Sequence, residues 1–345
     1  MKRRTAFLSA GIAAGVVTAG VVGRTVARRW HQGAGEPIGA VPPDDLGTVS
    51  SFDGTELAVR GAGPPEAPLV LLSHGFSLDM SVWCDTWPAL VGDLRVAAFD
   101  HRSHGASGRA AGGDLTLRAM GRDLGAVLGA VAGERPAILV GHSMGAMAIL
   151  ALAEQRPELF EGPIAGVVLM GAASSDLLKG AMGSVTELLR PRLGNLSTAA
   201  ERVNRLRKAL MASPIDVSGV VARVTQFGPD APSRVVDHVV SLAQRTASEV
   251  WTDALPDLME MDLRHAVPRI RVPALVLVGE HDRVTPPAAA VELAAALPDG
   301  RLTLIEGAGH IPMLERPDAV NEAVAAFARA VFGLDRPPRR RKGAA

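Results

Sequence analysis

The chain has 345 residues and a formal net charge of +0, so it is long enough for one large or two medium domains and carries no basic excess typical of nucleic-acid binding. Aromatic residues make up only 3% and tyrosine is absent, which argues against a platform on which bases or sugars stack. The single cysteine, Cys84, excludes an internal disulfide and a cysteine-rich metal site.

Residues 1–29 differ in composition from the rest of the chain. Basic residues at both ends flank an uncharged run over residues 6–23. As a helix this run would span roughly 27 Å, enough for a bilayer core. We expect a membrane anchor whose orientation the balanced basic flanks leave open. The twin arginines before Phe7 also suit an export signal, and a disordered tail on a cytosolic protein is the third interpretation.

The next stretches predict a linker, a hairpin and then alternating elements. Residues 30–45 are rich in glycine and proline, as in a linker. Asp53 and Gly54 form a strong turn signal between strands predicted at residues 48–52 and 55–60. Buried strands are then predicted at residues 69–72, 95–99, 137–140 and 165–170, and helices at residues 82–91, 115–131 and 146–155.

The alternation resumes near the end of the chain. Strands are predicted at residues 274–278 and 302–305, and helices at residues 287–297 and 318–332. Apolar strands alternating with helices indicate an α/β fold, with a mostly parallel sheet covered on both faces. We therefore assign the core to residues 46–173 and 268–333. Ligands of such sheets bind at the carboxyl ends of the strands.

Residues 174–267 interrupt the alternation and are too long for an ordinary connection. Thr198 and Glu201 form a capping-box pattern for one helix, and Ser233 is predicted to cap another. We interpret this insertion as a helical cap over the catalytic edge. The basic residues 334–345 are expected to form a disordered tail.

The motif that carries the chemistry is Gly-His-Ser-Met-Gly at residues 141–145. It lies between a predicted strand and a predicted helix, which is typical of a nucleophile elbow that exposes the Ser143 hydroxyl. A serine hydroxyl needs a base and a group that orients the base. Asp282 and His310 follow later strands in the order expected for such an elbow, whereas Glu280 and Asp176 are alternative acids. We expect His310 to take the proton and Asp282 to orient the imidazole.

The remaining histidines are weaker candidates for the base. His142 adjoins the nucleophile and cannot reach round to it, and His74 is better placed to orient the oxyanion loop. His101 and His104 lack the convergent partners of a metal site and are expected to hydrogen-bond within a tight loop. The others have no supporting motif or, in one case, directly precede the acid: His31, His238, His265 and His281.

Attack on an ester carbonyl creates an oxyanion that backbone N–H groups must stabilise. Met144, the residue after the nucleophile, is expected to supply one donor. We assign the second donor to Phe76, in the His-Gly-Phe turn after the strand at residues 69–72.

Five segments together resemble the alpha/beta-hydrolase superfamily, in its compact serine branch with a helical cap. They are residues 74–76, 100–107, 141–145, 279–282 and 309–310. The resemblance covers residues 48–332. One departure is Ser103, where many relatives carry glycine, and this difference should alter a loop without touching the triad. Ser143 in place of an aspartate nucleophile argues against epoxide hydrolase and haloalkane dehalogenase activity.

The resemblance implies hydrolysis of a carboxylic ester through an acyl-enzyme, without cofactor or metal. Lipase, thioesterase, carbon-carbon bond hydrolase and cofactor-free perhydrolase or haloperoxidase chemistry are its neighbours, and a ligand-binding protein that retains the triad is the rival. Trp251, Met259 and Met182 could line an acyl pocket, although core packing is the more ordinary role of such residues. An apolar or neutral small-molecule ester is favoured. The natural ester and the oligomeric state stay open.

Overall fold

One eight-stranded sheet organises the protein. The computed structural model describes residues 38–175 and 223–334. The strands are β1 (Asp44–Ser50), β2 (Glu56–Ala62), β3 (Leu69–Ser73), β4 (Arg95–Phe99), β5 (Ala137–His142), β6 (Ile164–Met170), β7 (Ala274–Gly279) and β8 (Gly300–Ile305). The α-helices within the described ranges are α1 (Thr86–Leu90), α2 (Leu117–Ala132), α3 (Met144–Gln155), α4 (Ser233–Arg245), α5 (Leu255–Glu260), α6 (Pro287–Ala296), α7 (Pro312–Glu315) and α8 (Pro317–Phe332).

The sheet is mostly parallel, as predicted. Its strand order is β1-β2-β4-β3-β5-β6-β7-β8. β1 and β2 form the predicted hairpin, β2 pairs antiparallel with β4, and every pair from β4 to β8 is parallel. Leu71 at the centre lies between Ala97 of β4 and Leu139 of β5. The fully buried central strands explain the nearly continuous apolar runs in the sequence.

Two hydrophobic cores lie on opposite faces of the sheet. Leu69 and Leu71 point into the first core, and Val70 and Leu72 point into the second, because successive side chains of a strand alternate. α2, α3 and α6 cover the first face, whereas α1, α7 and α8 cover the second. Helices on both faces leave the carboxyl ends of the parallel strands as the open edge, where a site can form.

Two local predictions about helices are wrong. The helix predicted at residues 82–91 is a 3₁₀ turn, Met80–Trp83, followed by the short helix α1. Pro88 lacks the N–H that would bond one turn back to Cys84 in a continuous helix. Ser233 does not cap α4, because Pro232 occupies the N-cap position and its carbonyl accepts the N–H groups of Val235 and Val236.

The first strand also begins earlier than predicted. β1 starts at Asp44, two residues inside the stretch interpreted as a linker. Arg95 of β4 extends its guanidinium to the Asp44 carboxylate at 2.6 Å. This ion pair ties the start of the strand to the sheet across its neighbour β2.

The insertion joins β6 to β7. Its described part contains α4, a π-helical turn over Val250–Ala254, and α5. At its base, Leu263 N–H donates to Ser174 O at 2.8 Å, and Ser175 forms an isolated β-bridge with Asp262. The helix predicted after Thr198 lies outside the described residues.

The predicted membrane anchor also lies outside the described residues, as does the basic tail beyond residue 334. Among residues 38–175 and 223–334, no helix combines the length and the apolar character needed to cross a bilayer. The anchor at residues 6–23 therefore stays a prediction.

A buried ion pair ties the hairpin to the helical layer. Arg102 and Asp123 are both fully buried, and the guanidinium reaches the two carboxylate oxygens at 2.6 Å each. Arg102 also donates to Asp53 at 2.9 Å, in the turn between β1 and β2. Ser51 adds a hydroxyl donor to Asp123. The charges are thus paired and hydrogen-bonded, the condition under which buried charges are tolerated.

The only cysteine of the chain, Cys84, follows the 3₁₀ turn. Its side chain is half-buried and packs against the second core. Burial raises the pKa of the Cys84 thiol to about 11, and the charge of Asp85 acts in the same direction. The thiol is therefore held in its protonated form at neutral pH.

Candidate active site

Ser143 sits on a strained turn between β5 and α3. Its φ of 51° and ψ of −117° place a non-glycine residue in a region that side chains rarely adopt. The flanking glycines have a steric role: a Cβ at Gly145 would lie 2.2 Å from Ser73 O, and one at Gly141 would lie 2.5 Å from Ala146 N. The turn can therefore pack this closely only with glycine at both positions.

Ser143, His310 and Asp282 form one hydrogen-bonded chain. His310 Nε2 lies 3.0 Å from Ser143 Oγ, and His310 Nδ1 lies 2.8 Å from Asp282 Oδ2. All three residues are buried, with at most 9% of their surface exposed. They follow β5, β8 and β7, respectively, so three strand ends deliver them to one edge of the sheet. The geometry allows a proton to pass from the hydroxyl to the imidazole.

Asp282 is held as a carboxylate by more donors than the histidine. Its Oδ1 accepts the N–H groups of Val284 at 2.8 Å and Thr285 at 2.9 Å, and its Oδ2 accepts the Thr285 hydroxyl at 2.8 Å. Burial alone would raise the pKa of Asp282, but the charge of His310 and these hydrogen bonds outweigh it and hold the pKa below its usual value. Sequence reasoning missed Thr285, although the Asp-x-x-Thr spacing suits a side chain that turns back to the acid.

Of the two alternative acids, Glu280 is described, and it is not joined to this hydrogen-bonded chain. The Glu280 side chain is 47% exposed and accepts Gly307 N–H at 3.0 Å, on the surface side of the turn. Asp176 lies outside the described residues. Among the described carboxylates, Asp282 is the one that contacts the imidazole of His310.

Two backbone N–H groups near Ser143 are the candidates for an oxyanion hole. Met144 is the first residue of α3, so its N–H has no carbonyl one turn earlier to bond. Phe76 follows Gly75, whose hypothetical Cβ would lie 3.2 Å from Ser143 Cβ. Within the described ranges, neither N–H donates to an acceptor. Both are available to a substrate oxygen, as an oxyanion hole requires.

His74 sets the orientation of the Phe76 N–H. His74 Nε2 accepts His101 N–H at 3.0 Å, so the ring proton is on Nδ1 and is donated to Gly75 O at 2.8 Å. Gly75 O and Phe76 N–H belong to one planar peptide unit, so a bond to the oxygen fixes the direction of the N–H. Burial lowers the pKa of His74 to about 4, which keeps the ring neutral.

The other core histidines also act as hydrogen-bonding groups. His142 Nε2 contacts the backbone oxygen of His310 at 2.7 Å, so its ring points away from the Ser143 hydroxyl. His104 donates from Nδ1 to Arg102 O at 2.9 Å. In the described part of the chain, no three His, Cys, Asp or Glu side chains converge as metal ligands.

Of the predicted pocket residues, Trp251 reaches the site. Its ring stands edge-on to Phe76, with 4.9 Å between the ring centroids, so it forms a wall beside the oxyanion turn. Met259 is half-buried on α5, and no described contact brings it to the triad. Met182 lies outside the described residues.

A separate groove of about 930 Å³ opens between β2 and α4. Asp79, Ser81 and His238 line it, and Ser143 does not. Ser81 Oγ lies 3.0 Å from His238 Nε2. The Asp79 carboxylate accepts the Ser81 hydroxyl, whereas in a catalytic triad the carboxylate would contact the imidazole. This Ser–His pair therefore lacks the arrangement of a nucleophile and its base.

The chain matches the Alpha/beta hydrolase family over residues 69–323. It belongs to that family. It is 27% identical over 267 residues to a pimeloyl-acyl-carrier-protein methyl ester esterase of Neisseria meningitidis, covering 75% of this chain and 93% of the other. It is 27% identical over 294 residues to a non-heme chloroperoxidase of Streptomyces lividans, covering 83% and 100%. Among solved structures it resembles the enol-lactonase of Burkholderia xenovorans LB400, with a TM-score of 0.65, 27% identity, and 81% and 99% of the two chains covered.

Ser103 departs from the glycine of many alpha/beta hydrolases at a position where the backbone favours glycine. Its φ is 60°, in the left-handed region. The hydroxyl accepts Ala110 N–H at 3.0 Å, and Ser103 N–H donates to Gly108 O at 2.9 Å. These bonds offset part of the strain of a non-glycine residue in the left-handed region.

Proposed function

We propose that this alpha/beta hydrolase is a serine hydrolase that cleaves a carboxylic ester through an acyl-enzyme. The observation that carries the proposal is the continuous chain from Ser143 Oγ through His310 to Asp282, with distances of 3.0 and 2.8 Å. Hydrogen-bond contact on both ring nitrogens is what a general base between a nucleophile and an orienting carboxylate requires.

In the first half of the reaction, Ser143 Oγ attacks the ester carbonyl carbon while His310 Nε2 takes the hydroxyl proton. The N–H groups of Phe76 and Met144 stabilise the oxyanion, each contributing about 3–4 kcal/mol in hydrolases where such a donor was removed. The bond to the alkoxy group then breaks, and His310 returns the proton to the leaving alcohol. Asp282 stabilises the imidazolium formed between these steps.

In the second half, water replaces the alcohol. His310 removes a proton from the water, and the resulting hydroxide attacks the acyl carbon bound to Ser143. The intermediate collapses with the proton passing back to Ser143 Oγ, which releases the carboxylic acid. The same N–H donors stabilise both oxyanions, so a single preorganised site supports both halves.

The test is hydrolysis of a p-nitrophenyl ester combined with fluorophosphonate labelling. Wild type should release a burst of p-nitrophenol equal to the active sites and should label at Ser143. Ser143→Ala should lose both, with turnover falling by at least about a thousandfold. Ser81→Ala is the matched control, since Ser81 also contacts a histidine, and it should keep both. Ester turnover by Ser143→Ala at the wild-type rate would refute the proposal.

We further propose that residues 174–267 form a cap that selects an apolar or neutral acyl group. Trp251 beside Phe76 supports this preference, since two rings offer an apolar wall near the oxyanion turn. A screen of p-nitrophenyl esters over acyl-chain length should give a maximum in kcat/KM that Trp251→Ala displaces. A profile unchanged by this substitution would contradict the assignment of Trp251.

Two other outcomes of these assays would redirect the function. Labelling at Ser143 without ester turnover would favour the ligand-binding alternative. Peroxide-dependent halogenation or perhydrolysis that exceeds ester hydrolysis would favour the activity named for the chloroperoxidase relative.

Membrane attachment through residues 6–23 is a separate proposal, supported by the length of that uncharged run. Full-length protein should sediment with membranes, and a variant lacking residues 1–29 should not. Full-length, uncleaved protein found only in the supernatant would contradict it.

A further inference from the structure

A buried carboxylate lies under the turn that carries His310. Glu315 is 3% exposed and ends the short helix α7. Its Oε1 accepts the N–H groups of Gly309 at 3.0 Å and Ile311 at 3.1 Å. Its Oε2 accepts Gly309 N–H at 3.0 Å and Gly228 N–H at 2.7 Å. One side chain thus joins both neighbours of His310 to a residue of the insertion.

The N–H between those two neighbours is held by the insertion itself. His310 N–H donates to Gln226 O at 2.6 Å. Three successive N–H groups, at residues 309–311, are therefore bonded either to Glu315 or to residue 226. Fixing the peptide planes on both sides of the His310 Cα sets the direction of its Cα–Cβ bond. That direction determines whether the ring can bridge Ser143 and Asp282.

The insertion and the histidine turn meet backbone to backbone. A Cβ at Gly228 would lie 2.2 Å from Gly307 O, and a Cβ at Gly309 would lie 2.5 Å from Gln226 O. No side chain separates the two segments, so a shift of residues 226–228 cannot be absorbed by a change of rotamer. Any such shift must displace the turn or break the bonds to Glu315.

The charge of Glu315 also acts on the site. Burial raises the pKa of this carboxyl, and the N–H groups of Gly228, Gly309 and Ile311 offset part of that effect, as does the charge of His310. Oxygens that face only N–H donors suit the ionised form, because a protonated carboxyl would turn an O–H towards a donor. A carboxylate here attracts the positive charge that His310 acquires when it acts as the base.

We propose that Glu315 is a positioning residue. It holds the His310 ring within hydrogen-bonding distance of Ser143, and it binds residues 226–228 of the insertion to the turn at residues 309–311. The insertion is thereby coupled to the base as well as covering the site. This inference rests on the proposed function for its kinetic consequence. Its structural claim, that Glu315 sets the position of the imidazole, stands without it.

The primary test is Glu315→Gln, with Glu306→Gln as the matched control on the same turn, where the side chain is exposed. The amide keeps the shape of the side chain but turns an NH₂ donor towards an N–H. We expect kcat on a p-nitrophenyl ester to fall about ten- to hundredfold, as for a small misplacement of a catalytic group, with KM within about twofold.

A second variant tests the same contact from the side of the insertion. Gly228→Ala adds a methyl group against Gly307 O and should reproduce the loss of kcat. The double variant Glu315→Gln/Gly228→Ala should lose less activity than the product of the two single effects, because both substitutions disturb the same contact. The Nδ1–H resonance of His310 in ¹⁵N-histidine-labelled protein reports the ring position without turnover. It should shift or broaden in both variants and stay unchanged in Glu306→Gln.

The outcomes separate this inference from the proposed function. Wild type that neither hydrolyses esters nor labels with a fluorophosphonate would refute the function, and the His310 resonance would still decide the role of Glu315. If the His310 resonance of Glu315→Gln is the same as that of the wild type, the positioning role is refuted. It is also refuted if the wild type is active and Glu315→Gln has the same kcat. If Glu315→Gln fails to fold, the resonance of Gly228→Ala decides in the same way.

Discussion

Mild acid should destabilise this protein steeply, because four histidines are buried in neutral form. His74, His101, His104 and His142 are at most 2% exposed. Burial lowers the pKa of His74 to about 4 and those of His104 and His142 to about 3, and it lowers that of His101 well below the usual value. Within the described ranges, Nδ1 of His101 and of His142 has no hydrogen-bond partner, so a proton added there would be buried and unpaired.

The sign and the size follow from proton linkage. The unfolded chain binds protons at these histidines below about pH 6.5, whereas the folded chain does not until pH 4 or below. Stability is therefore complete above pH 6.5 and is lost as pH falls towards 4. Each histidine costs about 1.4 kcal/mol between pH 7.5 and 5.5, so the four together cost about 5.5 kcal/mol. Burial raises the pKa of Asp100 to about 7, so its carboxylate takes up a proton in the folded state over the same range and offsets about 2 kcal/mol. The net loss of about 3.5 kcal/mol is a large fraction of the stability of many domains.

Urea titrations at pH 7.5, 6.5 and 5.5 would measure this loss directly. The free energy of unfolding should fall by about 3.5 kcal/mol with an unchanged m-value. His104→Gln removes one titrating group and should reduce the difference between pH 7.5 and 5.5 by about 1.4 kcal/mol, whatever it does to the stability at pH 7.5. A wild-type difference below about 1 kcal/mol would refute the reasoning, since it would mean that these rings are protonated in the folded state.

Three further predictions concern single contacts. Asp123→Asn should lower the free energy of unfolding by about 3–5 kcal/mol in urea, because Arg102 would stay buried without its carboxylate; a loss under about 1 kcal/mol would contradict this. Thr285→Val should lower kcat about tenfold by removing a hydroxyl donor from the carboxylate of the triad, and an unaltered kcat would argue against that role. Gly75→Ala should lower kcat at least about tenfold, because the new methyl would lie 2.7 Å from a buried imidazole nitrogen. Gly129→Ala, with nothing within 4 Å, is its control and should keep full activity.

The residues that the sequence correctly predicted to lie together are those that follow strands. Ser143, Asp282 and His310 each come within five residues of the end of an apolar strand. Parallel strands end at one edge, so the proximity of the three residues follows from the order of elements. The same logic predicted the sheet, because the alternation of apolar strands with helices leaves few other arrangements. Local pattern and tertiary structure agree in this part of the chain.

Residues whose partners are backbone groups were not predicted. Glu315 accepts the N–H groups of Gly228, Gly309 and Ile311. Nearly every residue has a backbone N–H, so the sequence does not show which of them a carboxylate will bind. Gly228 is also 87 positions away from Glu315, so only the tertiary structure brings them together. Thr285 bonds locally to Asp282, but a threonine three residues after an acid is too common a pattern to indicate a function.

Local propensity also misled where proline intervened. The apolar residues around α1 suggested one helix, but Pro88 removes a donor from its middle, and the chain divides into a 3₁₀ turn and a short helix. Pro232 likewise takes the cap position that Ser233 was expected to fill. In both cases the backbone constraint of proline outweighed the side-chain pattern.

The protonated Cys84 thiol makes the chain ready for site-specific spectroscopy without first removing a cysteine. With a pKa of about 11, fewer than about one in a thousand Cys84 side chains is ionised near neutral pH, and maleimides react with the thiolate. A new, exposed cysteine on α4 or α5 would therefore carry a spin label or fluorophore almost alone. The spectrum of such a label would report the surroundings of the insertion, in a protein whose native residues are otherwise unchanged.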